Sequence, residues 1–254
     1  MMVVLLLACR GSSATAELSL MRCARIPPYK GPSSQNANKE FCRVLLTAHQ
    51  NGLSNSTLFV DVGTERGDEV RIAKFYGHPV LTFECRGDVA LGHHQDRSSR
   101  RLLDGDVRLV HACVSDRSGV ARLHRALDSS SLLNASVASV GFKVGREPFA
   151  METVPMLTLD GACDRDSLTT LGWPSDLRIG LVKIDVQGAE PAVLRGAQRI
   201  LARDDRPYLL YEDSMLPQPV QKGKLLEDLV GGGGRYRCSC SGDCFCQPVR
   251  HQRT

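Results

Sequence analysis

The stretch Ile179-Gly-Leu-Val-Lys-Ile-Asp185 is the tightest constraint in this chain. It is a short, almost unbroken apolar run, as expected of a strand covered on both faces. Val186-Gln-Gly188 follows as a tight turn, and residues 190–202 then form a helix with Pro191 in its first turn. Val193, Leu194, Ala197, Ile200 and Leu201 share one face of that helix. A buried strand feeding an amphipathic helix has to pack back on its own sheet, which calls for a layered α/β architecture with right-handed crossovers.

The same alternation starts earlier. Asn38 to Gln50 carries Phe41, Val44, Leu45 and Ala48 at helical spacing, with Gly52 as its stop. Residues 57–62 read as a buried strand, 68–76 as a helix and 79–84 as the next strand. A third strand is expected over 107–114, an antiparallel piece over 119–125 and another strand over 153–159. Residues 207–212 read as a strand and 222–230 as a short helix. Segments 87–105 and 126–150 carry no clear period. The fold class expected is therefore α/β, a mostly parallel Rossmann-like sheet with an antiparallel C-terminal hairpin at its edge.

That hairpin comes from Cys238-Ser-Cys240-Ser-Gly-Asp-Cys244-Phe-Cys246. With a turn at Ser241-Gly-Asp243, the four thiols alternate onto one face, Cys240 opposite Cys244 and Cys238 opposite Cys246. Zinc, disulfides and reduced thiols compete there. The spacing lacks the CxxC knuckle, which favours thiols or disulfides over metal. Cys85 and Cys113, inside apolar runs, read as small hydrophobes.

Residues 1–37 are set apart from the folded domain, which is expected over 38–250. The first residues are apolar and lead to Ala14-Thr15-Ala16, a weak signal-like or disordered start. Cytoplasm and secretory pathway both stay open. No apolar run approaches the ~20 residues of a membrane span, so no integral span is expected. Thirty-two basic against 28 acidic side chains give a net charge of +4, too near balance to point to a nucleic-acid partner.

Phe59-Val-Asp-Val-Gly-Thr-Glu-Arg-Gly67 puts glycines at a strand end and at a helix start. Glu84 ends the next strand, 17 residues beyond Gly67. In doubly wound sheets an acid there accepts hydrogen bonds from ribose hydroxyls. Gly63, Gly67 and Glu84 thus outline a nucleoside pocket. The GxxxG spacing lacks the third glycine of the dinucleotide fingerprint, and no phosphate loop is present. An adenosyl ligand without pyrophosphate fits best. Taken singly, each of these residues suits a plain turn or a solvated strand end.

Three blocks resemble the FkbM family of S-adenosylmethionine-dependent methyltransferases. They are 59–67 with Leu81-Thr-Phe-Glu84, Ala112-Cys-Val-Ser-Asp-Arg-Ser-Gly119 with 154–160, and 181–197 with Leu209-Leu-Tyr-Glu212. The resemblance covers roughly residues 57–247. It implies a class I methyltransferase fold, seven strands with the last antiparallel, and S-adenosylmethionine as cofactor. By position, Asp61, Gly63 and Gly67 would line the methionine and ribose part. Glu84 would bind the ribose, and Cys113 and Val114 would lie near the adenine. The chain departs from the family at Thr64-Glu65, Cys85 and Gln187.

The function expected is methylation, with a hydroxyl of a small molecule or glycan as acceptor. The rival is a catalytically inactive binding module on the same sheet. Asp185 is the candidate base, Glu212 the second, and Lys183, two residues before Asp185, would tune it. Bland roles stand beside these: Asp185 as a cap of the following turn, and Lys183 with Glu190 as a structural ion pair. Asp185 with Glu212 or Asp213 offers oxygen ligands suited to Mg²⁺. No histidine pair has a spacing that demands a metal, and no metal site is assigned.

Overall fold

The structure is a computed structural model and describes residues 32–95, 103–125, 130–131, 150–213, 224–229 and 234–249. The signal-like start, the Arg100-Arg101 pair, the side chains of His93 and His94 and most of 126–150 lie outside the described residues.

One seven-stranded sheet organises the chain. Its parallel part runs β9 (Tyr208–Glu212), β8 (Ile179–Ile184), β1 (Leu58–Val62), β2 (Val80–Glu84) and β3 (Val107–His111). Beyond β9 come β11 (Asp243–Pro248), antiparallel to it, and the outermost β10 (Tyr236–Ser241). This is the Rossmann-like order with an antiparallel hairpin at its edge, as the alternation of elements predicts. Strand order reverses about β1, and the carboxyl ends of β1, β2 and β8 open at that switch point, where doubly wound sheets bind ligands.

The strand runs are mostly apolar because both faces are covered. Leu58, Val60 and Val62 of β1 pack with Val193 and Leu194 of α6 (Glu190–Arg195). Phe59 packs on the opposite face with Phe41 and Leu45 of α1 (Pro32–Gln50) and with Ile72 of α2 (Asp68–Phe75). All five residues of β1 and all five of β2 are buried. Each fully buried Val, Leu or Phe contributes about 1.5–3 kcal/mol, which suffices to hold the polar side chains that share these strands.

Three expectations shift and one open choice closes. The first helix starts at Pro32, inside the segment set apart from the folded domain. Segment 87–105, readable as a poor helix or a loop, opens with a helix, α3 (Gly87–Gln95), which settles that choice for its first residues. The strand over 107–114 breaks at Ala112. Its amide still bonds the Glu84 carbonyl, but Cys113 then pairs with Met156. Thus β4 (Cys113–Ser115) leaves the large sheet and joins β7 (Ala150–Thr158) and β5 (Gly119–Arg125) in a second, four-stranded sheet.

The helix over 190–202 breaks after Gly196. A side chain there would collide with the Ser115 carbonyl of β4. The Asp160 carboxylate accepts the amides of Arg199 (2.9 Å) and Ile200 (2.9 Å), starting α7 (Gln198–Ala202) as a separate helix.

The hairpin folds with the predicted register, Cys240 opposite Cys244 and Cys238 opposite Cys246. Both pairs are disulfides, so among the three readings of this cluster the structure has the oxidised one. Cys85 and Cys113 also form a disulfide, which pins the end of β2 to β4 instead of leaving two small hydrophobes. It closes a loop 28 residues apart in sequence. Removing it as Cys85→Ser with Cys113→Ser should cost about 3 kcal/mol of stability by loop-closure entropy. The check is urea denaturation of the double variant, with the midpoint lowered and the slope raised as the unlinked unfolded chain exposes more surface.

Candidate functional site

A cavity of about 230 Å³ opens at the switch point. Val62 and Gly63 from the end of β1, Phe83 and Glu84 from β2, Cys113 and Val114 from β4, and Asp185 after β8 all line it. The second sheet adds Leu123, and α3 adds Val89. The structure thus brings five of the expected residues, Gly63, Glu84, Cys113, Val114 and Asp185, around one space. Asp61, Gly67, Lys183 and Glu212 do not line it. Glu65, Arg86 and Gln187 do, and the sequence reading did not pick them as site residues. Glu65 and Gln187 are two of the departures from the family, which was the available signal.

Glu84 is buried at the cavity floor. Its Oε2 accepts the Glu65 amide at 2.9 Å, and its Oε1 accepts the Arg86 amide at 2.8 Å. Each oxygen retains acceptor capacity beyond its one amide, so the carboxylate can still take a pair of hydroxyl donors. The Cys85–Cys113 disulfide forms part of the wall beside it.

Gly63 adopts φ 92°, a left-handed conformation. A Cβ there would overlap the carbonyl oxygen of Asp185. The glycine is therefore required by two strand ends crossing closely, and this contact sets the height of Asp185 relative to the cavity. Gly67, at φ 71°, sits one turn further on as the residue before α2.

Asp61 lies beneath this turn, fully buried. Thr82 Oγ1 donates to its Oδ2 at 2.9 Å. The Thr64 hydroxyl lies against both the Thr82 hydroxyl and the Phe83 carbonyl, and its single proton serves one of the two. Burial pushes the Asp61 carboxyl up to about 7, against the pull of Lys183.

Lys183 is the centre of a buried charge cluster. Its Nζ donates to the Gly63 carbonyl at 3.2 Å and stands 3.5 Å from Asp61, 3.6 Å from Glu69 and 3.7 Å from Asp185. Burial works against its charge, but Glu69, Asp61 and Asp185 outweigh it, and its pKa rises well above the usual lysine value. Lys183 therefore stays an ammonium. Its partners are these three acids, not Glu190.

Asp185 is half exposed. Gln187 Nε2 donates to Asp185 Oδ1 at 3.0 Å and to Glu212 Oε2 at 3.3 Å, so one amide spans the two candidate bases. The cap of the turn after β8 is Glu190, whose Oε1 accepts the Val186 amide at 2.9 Å. Burial raises the Glu190 carboxyl to about 7, with Glu212 and Asp185 adding repulsion.

A smaller cavity of about 70 Å³ lies on the other side of Asp185. Glu40, Glu69, Lys183, Glu212 and Asp243 line it together with Asp185. Burial raises the Asp243 carboxyl to about 6, and the neighbouring acids push it the same way. Asp185 is thus the carboxylate shared by both cavities. Among the described residues no helix is long and apolar enough to cross a membrane.

No curated protein sequence matches this chain. Among solved structures it is similar to a Pyrococcus horikoshii protein assigned as an RNA methyltransferase, at 9% identity and TM-score 0.46, over 94% of this chain and 98% of that one. It is also similar to the N-terminal domain of human METTL16 in complex with S-adenosylhomocysteine, at 12% identity and TM-score 0.44, over 92% and 78% of the two chains. A third likeness, at 13% identity and TM-score 0.41 over 80% and 84%, is to a precorrin-6y C5,15-methyltransferase from Geobacter metallireducens. The methyltransferase FkbM domain model matches residues 46–229, most of the chain and every strand end that builds the cavity. This protein belongs to the FkbM methyltransferase family.

Proposed function

We propose that this protein transfers a methyl group from S-adenosylmethionine to a hydroxyl of a small molecule or glycan. The cofactor of the family supplies an electrophilic methyl group on a sulfonium. The residues of the larger cavity suit it. Glu84 offers two acceptor oxygens for ribose hydroxyls, and Val89, Val114 and Leu123 give the apolar contact that an adenine ring needs. No pyrophosphate cradle is needed. Asp61 and Gly67, which the resemblance places in contact with the cofactor, act from behind the cavity by fixing the β1 turn.

The observation that carries the reading is the position of Asp185 between the two cavities. A base for the acceptor has to meet the acceptor oxygen on the side facing the methyl donor. Asp185 has one oxygen held by Gln187 and the other near Lys183, so its orientation is set before the acceptor arrives. Glu212, on the same amide of Gln187, faces the smaller cavity and is placed to bind the acceptor. Lys183, a permanent cation, favours the ionised form of Asp185 and does not itself take a proton.

The test is a methyl-transfer assay with radiolabelled donor against a panel of hydroxylated small molecules and glycans. Methyl ethers formed on one class support the reading. Methylation confined to amines or thiols would overturn the choice of oxygen.

A further inference from the structure

We infer that Asp185, Glu190 and Glu212 form a binding site for one hard divalent cation, Mg²⁺ or Mn²⁺ in class, next to the acceptor cavity. This rests on the methyl-transfer reading for its use, but not for its test. The three carboxylates each present an oxygen within 4.8 Å of the others. Oxygens on opposite sides of one ion lie about 4–5 Å apart, given metal–oxygen distances of about 2.1 Å for Mg²⁺ and 2.3–2.6 Å for Ca²⁺. The trio is therefore already close to a coordination shell.

Clustered acids alone would say little. The second observation is Glu190. Its side chain is fully buried, and among the described residues its Oε2 has no hydrogen-bond partner, while Oε1 is spent on the Val186 amide. A buried carboxylate oxygen without a donor costs several kcal/mol unless a positive group serves it or the carboxyl takes up a proton. Among the described residues Lys183 stands against Asp61, Glu69 and Asp185, not against Glu190. The Gln187 amide reaches both Asp185 and Glu212, so these two carboxylates converge on one place. An all-oxygen carboxyl donor set selects a hard divalent ion over zinc or copper.

Such an ion has a use in this site. A carboxylate is a weak base for an alcohol, and a cation beside the acceptor oxygen eases loss of its proton to Asp185.

The test is titration of the full chain with Mn²⁺ alone, reading free Mn²⁺ by its electron paramagnetic resonance signal. We expect one ion per chain with a Kd of about 1 mM or tighter. Glu190→Gln keeps an acceptor for the Val186 amide, and Glu212→Gln changes a residue outside the turn. Each should weaken Mn²⁺ binding about tenfold or more, with circular dichroism unchanged. No binding by the unaltered chain would overturn the proposal, and so would binding unaffected by both substitutions. Because neither cofactor nor acceptor is present, failure of the methyl-transfer reading would show separately, as absent heat of S-adenosylhomocysteine binding.

Discussion

Asp185→Asn should lower turnover by about 10²–10⁴-fold while S-adenosylhomocysteine binds within a few-fold of its original affinity. The substitution keeps size and the contact with Gln187, whose amide can turn to present its oxygen. It removes the negative charge that the acceptor proton requires, on the carboxylate that faces both cavities. It also removes one of three anions facing Lys183, leaving Asp61 and Glu69 to hold it, so the fold should persist. Single-turnover assays with saturating donor, beside calorimetry on the same sample, separate the two effects. Full activity in the variant would exclude Asp185 as the base.

Gly63→Ala should lose at least about 3 kcal/mol of stability, from a left-handed φ on a residue with a side chain and from overlap with the Asp185 carbonyl. The relief available is a shift of one strand end relative to the other. That shift moves Asp185 and the wall of the cavity together, so whatever folded protein remains should bind cofactor poorly. Thermal unfolding followed by circular dichroism reads the first effect, and a midpoint within 2–3 °C of the original, corresponding to under about 1 kcal/mol, would contradict it. The glycine then serves the joining of β1 to β8 more than an open approach to a ligand.

The strands were legible because both faces of the sheet are covered, so 58–62, 80–84 and 179–184 are mostly apolar, without polar alternation. The hairpin register was legible from four cysteines at period two about a glycine. The breaks were not. Ala112 and Gly196 interrupt runs whose local pattern is continuous, and both breaks are set by distant partners, Met156 for one and Ser115 with Asp160 for the other.

The site shows the same division. Glu84 and Asp185 stand at the ends of strands near the switch point, where a ligand is expected once the residues are read together, and both line the cavity. The role of Asp61 was not legible, because a buried aspartate matched to Thr82 and Lys183 across two strands looks like a cavity aspartate in one dimension. Glu65 and Gln187 were seen only as departures from a family pattern. Their contacts, a backbone amide to Glu84 and a side-chain amide to Asp185 and Glu212, depend on turns that spacing does not specify.

Isothermal calorimetry of S-adenosylhomocysteine binding to the unaltered chain and to Glu84→Ala bears most directly on the cavity at the switch point. The unaltered chain should bind with about micromolar Kd. The variant should bind about 100-fold more weakly, since two hydrogen bonds to a charged acceptor are lost, and it should unfold somewhat earlier because the Glu65 and Arg86 amides lose their acceptor. Absent heat with the unaltered chain, or equal affinity in the folded variant, would mean that this crevice does not hold the nucleoside, and the inactive binding module would then be the better description.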